Sequence, residues 1–284
     1  MLKQRIFTAL VLLALLLPAL WMKSPALLGL WMGLLILAGS WEWSRMNQLK
    51  APTSLVAPLF FYVLLAMLVS RFNWHDLTGP FISVVLMIVA LIWIVTVPWM
   101  LSHGMQHWLK VPQFIRLVLG WLLITACAAS ILAAHQIGLE FLLSILCLVW
   151  CADIFAYFGG RLWGRRKLAP SISPGKTWAG VYTAAVAVLS MSGAWIWADI
   201  HAGHSTVSLY TLMWQSSPFV WLGGTLILFA FSVCGDLVES LVKRVSGFKD
   251  SSQLLPGHGG VLDRIDALLP VLPLAMLIRW GLGT

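Results

Sequence analysis

S-L-V-K-R-V-S-G-F-K-D-S-S-Q-L-L-P-G-H-G-G-V-L-D-R-I-D, residues 240–266, is a dense run of charge in a chain that is otherwise mostly hydrocarbon. Charged residues make up 10% of the 284 positions and hydrophobic residues 60%, with 17 tryptophans. A soluble domain of this length could not hide so much apolar surface. Dense charge beside membrane-spanning segments marks chemistry, ion handling or headgroup contact. The fold class expected is therefore all-α, a polytopic transmembrane helical bundle whose chemistry is concentrated in a few charged segments.

Working outward from that stretch, apolar runs near the ~20 residues that cross a bilayer recur along the chain. Nine spans are expected, at 6–21, 25–41, 55–70, 80–101, 114–134, 139–158, 178–200, 218–238 and 267–283. Several fall short of full length, so tilt or local thinning would have to accommodate them. Lys3 and Arg5 ahead of the first run also describe a signal peptide, but no A-x-A-like cleavage site follows. With the N-terminus placed in the cytoplasm, all but three of the 18 Lys and Arg residues fall on the inner side. The exceptions are Lys23, Arg71 and Arg279. This divides the chain into N-terminal helices at 1–135 and a C-terminal region at 136–284, with cytoplasmic loops at 159–177 and 239–266. The net charge of +8 follows largely from that topology, with anionic lipid headgroups as a local partner. Nucleic acid is excluded as a partner because no soluble basic domain exists to bind it. Tryptophans near span ends read as interface anchors. The cysteines, Cys127, Cys147, Cys151 and Cys234, lie inside spans and read as packing residues rather than a disulfide framework.

Three charged constellations carry chemistry. Asp263 and Asp266 follow the turn Pro256-Gly257-His258-Gly259-Gly260 and, three apart, share a helix face. Two like charges held together need neutralising, and oxygen-only clusters suit Mg²⁺; pairing with Arg264, Lys243 or Arg244 is the plainer alternative. Asp236, Glu239, Ser240 and Lys243 fall at i, i+3, i+4 and i+7, one helical face that must look into a wet cavity or the bundle interior. An internal Glu or Asp to Lys243 salt bridge would also account for it. The third runs from Asp153, deep in the sixth run, through Arg161, Arg165, Arg166 and Lys167 to Ser173-Pro174-Gly175-Lys176-Thr177. Ser, Lys, Thr and free N–H groups at a helix start can cradle phosphate, although a basic cluster that only fixes topology fits too. Pro170 stands where a Walker A loop needs its first glycine, so a P-loop is excluded. The scattered histidines lack a zinc spacing.

These residues resemble a known family. S-L-V-K-R followed by K-D and then P-G-H-G-G-V-L-D-R-I-D is similar to the signature of phosphatidate cytidylyltransferases, and D-x-x-A-Y-x-x-G-R-x-x-G with S-P-G-K-T-W-x-G resembles the family's second motif. Ala179 departs from it, at a position where the family often carries a polar or acidic residue. The resemblance implies transfer of a cytidylyl group from CTP to phosphatidic acid, with Mg²⁺ and K⁺ as cations and, on family grounds alone, a homodimer. It implies Asp236, Asp263 and Asp266 as metal ligands, with Ser240 and Lys243 at the phosphates beside them. Ser173, Lys176 and Thr177 would hold nucleotide phosphates, joined by Lys249, Asp250, His258, Arg264 and, at the nucleotide end, Asp153. The expected location is a bacterial inner membrane, with the site facing the cytoplasm. A CTP-dependent lipid kinase would share much of this chemistry, and an ion-coupled transporter would also bury Asp153 and Asp236 but gives no reason for the Gly-rich aspartate turn.

Overall fold

A backbone inside hydrocarbon must satisfy its own N–H and C=O groups, so the apolar runs fold as long helices. The computed structural model describes residues 10, 11, 14, 17–21, 25–69, 80–202 and 207–283. In chain order they form α1 (Pro25–Met46), α2 (Thr53–Val69), α3 (Pro80–His103), α4 (Met105–Lys110), α5 (Gln113–Ile137) and α6 (Leu139–Trp163). Strands β1 (Lys167–Ala169) and β2 (Ser173–Thr177) follow, then α7 (Trp178–Ala202), α8 (Leu209–Ser216), α9 (Pro218–Val245), α10 (Leu262–Ile265) and α11 (Leu268–Gly281). Among the described residues the protein is an all-α membrane bundle apart from one small antiparallel hairpin, in which Lys167 pairs with Thr177 and Ala169 with Ser173.

Among the described residues six helices are long and apolar enough to cross a membrane. They correspond to the expected runs at 25–41, 80–101, 114–134, 139–158, 178–200 and 218–238. The run at 55–70 is α2, a shorter apolar helix, and the run at 6–21 lies mostly outside the described residues. The run at 267–283 forms a helix of 14 residues. It is α11, and Leu268, Leu269, Val271, Leu272, Leu274, Ala275 and Met276 are all buried, so every face meets protein up to Met276, while Trp280 in the last turn is exposed. It threads the bundle against α3, α5 and α9. A hydropathy profile cannot distinguish a helix wrapped by lipid from one wrapped by other helices.

Several tryptophans also depart from the interface-anchor expectation. Trp43, Trp93, Trp108 and Trp121 are core residues. Their indole N–H groups explain how three of them are tolerated there: Trp43 Nε1 donates to Arg116 O at 2.8 Å, Trp108 to Asn47 Oδ1 at 3.2 Å and Trp121 to Ser44 Oγ at 3.1 Å. All four cysteines are free, as packing residues would be.

The charged segments meet at one end of the bundle. Gln113 Nε2, at the start of α5, donates to Asn47 O beyond α1 at 2.8 Å. Ser246 Oγ, beyond α9, donates to Met46 O, and Arg244 Nε on α9 reaches Ile172 O in the hairpin at 3.4 Å. With 28 residues, α9 is about 42 Å long and outruns a hydrocarbon core of about 30 Å. It is long enough for its last turns, which carry Glu239, Ser240 and Lys243, to extend past the hydrocarbon. At the opposite end Asp199 Oδ2 accepts from Ser208 N at 3.0 Å, Ser208 Oγ at 2.7 Å and Thr211 Oγ1 at 2.6 Å, tying α7 to the start of α8.

One close approach fixes α9 against α11. Pro270 has no N–H to give the Asp266 carbonyl, so the helix breaks between α10 and α11. A Cβ placed on Gly235 would lie 2.4 Å from that carbonyl oxygen and 2.9 Å from the Pro270 ring. Gly235→Ala is expected to lower stability by about 1–3 kcal/mol through overpacking, read as a lower Tm of the detergent-solubilised protein. An unchanged Tm would show that the two helices are not locked at this point.

Candidate functional site

Helix α9 presents Asp236, Glu239, Ser240 and Lys243 on one face, as their spacing requires. Lys243 Nζ lies 2.5 Å from Glu239 Oε2 and 2.6 Å from Asp263 Oδ1, and its side chain is only 12% exposed. Glu239 is buried, and its Oε1 has no hydrogen-bond partner among the described residues. One turn earlier on α9, Lys176 Nζ lies 2.5 Å from Asp236 Oδ2 while Ser240 Oγ donates to Asp236 Oδ1 at 3.2 Å. Two lysines from different elements thus neutralise the carboxylates of one helix end.

The Gly-rich turn places the second aspartate group. His258 N donates to Leu255 O at 2.8 Å and Leu255 N to Gly259 O at 2.9 Å, closing a tight turn. Gly259 has φ +81° and lies against Asp263, where a Cβ would come 2.6 Å from Oδ2, so both conformation and space demand glycine. Asp263 Oδ2 accepts from Gly260 N at 2.8 Å and Ser251 N at 2.9 Å. Burial raises the Asp263 carboxyl, but the Lys243 ammonium and the Gly260 and Ser251 N–H groups outweigh it and hold it below the usual range. Asp266 Oδ1 accepts from Ala267 N at 2.7 Å. Burial first, then the charge of Asp236, pushes the Asp266 carboxyl up to about 8.

A cavity of about 500 Å³ opens between α6, β2, α7 and α9. Asp153, Arg161, Lys176, Thr177 and Asp236 line it, with Tyr157 at its side. The structure therefore gathers Asp153, Lys176, Thr177 and Asp236 around a cavity, and Lys243, Asp263 and Ser240 along the adjoining end of α9. Thr177 Oγ1 also accepts from Gly180 N at 3.2 Å, starting α7. Ser173 sits at the far end of β2 and does not line the cavity. Lys249 and Asp250 are exposed on the loop after α9. Arg264 donates to His258 O through Nε at 3.1 Å and Nη2 at 2.7 Å, so it braces the turn; His258 Nδ1 is buried without a hydrogen-bond partner among the described residues.

Among the described residues no three of His, Cys, Asp and Glu are grouped closely enough to hold a metal ion. Asp236, Asp263 and Asp266 are thus not gathered into one cluster; Lys176 pairs with Asp236 and Lys243 with Asp263. The donor chemistry nevertheless suits a hard divalent cation. All candidate donors are oxygens, Glu239 Oε1 is buried and unpartnered, and Asp236 and Asp266 crowd each other enough to raise the latter.

Sequence reasoning missed Glu42. It lies in α1, is fully buried, and accepts four hydrogen bonds from the 251–262 loop. The available signal was a carboxylate at the edge of an apolar run.

A model of the cytidylyltransferase family matches residues 3–280. A phosphatidate cytidylyltransferase of Pseudomonas aeruginosa is 36% identical, covering 100% of this chain and 98% of the relative. One of Haemophilus influenzae is 35% identical over 96% of each chain. A third, from Brucella abortus, is 39% identical over 54% of this chain and 52% of its own.

Two outcomes follow from the charge arrangement. Lys243→Met leaves Glu239 and Asp263 buried without a counter-charge and is expected to destabilise by about 3–5 kcal/mol, measured by denaturant unfolding against Lys243→Arg. For Asp266, the folded value of about 8 exceeds the unfolded value of about 3.9. The native state therefore binds more protons between those limits. Without divalent cations, Tm should fall as pH rises from about 4 to 8 and then level off, and Asp266→Asn should flatten that slope. A slope unchanged in the variant would assign it to another group.

Proposed function

The chain belongs to the cytidylyltransferase family, and we propose that it transfers the cytidylyl group of CTP to phosphatidic acid, yielding CDP-diacylglycerol and pyrophosphate for phospholipid synthesis. The observation that carries this reading is the cavity of about 500 Å³, lined by Lys176, Arg161, Asp153 and Asp236 at the basic end of an apolar bundle. It suits a polyanionic nucleotide on one side and a lipid phosphate on the other.

In the reaction a phosphate oxygen of phosphatidate attacks the α-phosphorus of CTP. An O–P bond forms there, the bond to the bridging oxygen of the β-phosphate breaks, and pyrophosphate leaves with that electron pair. The attacking oxygen is already anionic, so no general base is needed. The chief difficulty is bringing two polyanions together in line. Lys176 and Thr177 hold nucleotide phosphates, with Ser173 at the outer end of the hairpin, and Asp153 orients the nucleotide end. Ser240 and Lys243 take the phosphates beside the aspartates. Lys249, Asp250, His258 and Arg264 frame the loop side. Asp236, Asp263 and Asp266 would hold Mg²⁺, with K⁺ as a second cation, and bound metal supplies neutralisation of the charge that builds on the leaving pyrophosphate.

The N-terminus and both charged segments face the cytoplasm of a bacterial inner membrane, the side on which CTP is found, in a chain of nine spans. Phosphatidate enters from the inner leaflet with its acyl chains still in lipid. Support comes from the segregation of basic residues and from the meeting of their loops at one end of the bundle.

The test is pyrophosphate release by detergent-purified protein given CTP, phosphatidic acid and Mg²⁺. Lipid-dependent release is expected, and Asp263→Asn should reduce it by about a hundredfold or more while the protein stays folded. Release of CDP in place of pyrophosphate would replace this reading with a lipid kinase.

A further inference from the structure

Glu42 is a carboxylate without a cationic partner among the described residues, fully buried in α1. Its Oε1 accepts from Ser252 Oγ at 2.6 Å and Val261 N at 2.9 Å; its Oε2 accepts from Ser251 Oγ at 3.0 Å and Leu262 N at 2.8 Å. Burying a charge at this depth is expensive unless every lone pair is used. Here four donors meet it. An ionised carboxylate is an acceptor-only group with room for about four such bonds, whereas an amide would turn its NH₂ against Val261 N or Leu262 N.

The four donors come from two stretches, 251–252 and 261–262, on either side of the Gly-rich turn. Ser251 of the first stretch and Gly260, the residue just before the second, also give their N–H groups to Asp263 Oδ2. The fit is tight: a Cβ on Gly260 would lie 2.4 Å from Glu42 Oε1. Ser251 Oγ stands 3.0 Å from Glu42 Oε2 and 2.9 Å from Asp263 Oδ2, and has one proton to share between them. Glu42 does not line the cavity.

We propose that Glu42 is a positioning residue for the transfer reaction, a strut from α1 that sets Asp263 against Lys243 at the end of α9. The inference rests on the reading given under Proposed function. It assigns a catalytic consequence to the N-terminal half of the chain, through Ser251 rather than through contact with substrate. A misplacement on the scale of 1 Å costs up to about a hundredfold in turnover.

The experiment compares full-length wild type, Glu42→Gln, Ser251→Ala and the double variant. It measures steady-state pyrophosphate release, and separately the Mg²⁺ concentration giving half of the Mg²⁺-induced shift in Tm. For Glu42→Gln, kcat should fall about tenfold or more with KM for CTP within about twofold, and the Mg²⁺ midpoint should rise at least about threefold. The double variant should lose little beyond Glu42→Gln, because both changes break one chain of contacts. A folded Glu42→Gln with wild-type kcat and midpoint overturns the proposal, as do strictly additive effects. If Glu42→Gln does not fold, Ser251→Ala decides: a fall in kcat and a raised midpoint support the strut, and wild-type values overturn it. If wild type releases no pyrophosphate, the parent reading has failed, and the Mg²⁺ midpoints of the variants still decide this one.

Discussion

The Lys243 ammonium, 2.5 Å from Glu239 and 2.6 Å from Asp263, is the contact on which the charged end of the molecule depends. It joins the last turns of α9 to the aspartate turn. Removing any of the three groups strands charge where water is scarce, and breaking a buried pair is far more damaging than never having built one. The lysine thus fixes where the turn sits, the turn fixes Asp263, and Gly235 sets how closely α9 can lie against the Asp266 break.

A second lysine repeats the arrangement on the cavity side, with Lys176 on Asp236. The acidic groups are therefore neutralised from two directions, by the hairpin before α7 and by α9 itself. In the proposed reaction, the same ammonium groups that balance the aspartates would turn to phosphate once a divalent cation took the carboxylates. The apolar bundle contributes by excluding water, which strengthens each of these interactions.

Much of this was legible in the residues. Long apolar runs separated by basic loops dictate a helical membrane bundle, and the i, i+3, i+4, i+7 spacing of Asp236, Glu239, Ser240 and Lys243 does place them on one face. Other features are matters of tertiary placement that periodicity does not encode. The run at 267–283 reads as one more apolar helix, but the reading does not show that most of α11 is surrounded by other helices, since hydropathy is blind to which apolar medium surrounds a helix. Trp43 and Trp108 read as interface anchors but are core donors, because their acceptors come from other helices or distant turns. Asp263 reads either as a metal ligand or as a partner of Arg264, Lys243 or Arg244, and spacing does not choose among them; the partner is Lys243, 20 residues away in sequence and 2.6 Å away in space. Glu42 was the least visible, its four donors lying more than 200 residues downstream.

The most direct measurement follows two labels through one turnover. Purified protein receives phosphatidic acid, Mg²⁺ and CTP labelled either at the α-phosphorus or at the γ-phosphorus, and lipid and water-soluble products are separated. The account requires the α-label to enter the lipid fraction as a cytidine-containing product and the γ-label to leave in pyrophosphate. Entry of the γ-label into lipid, with CDP left behind, would contradict it.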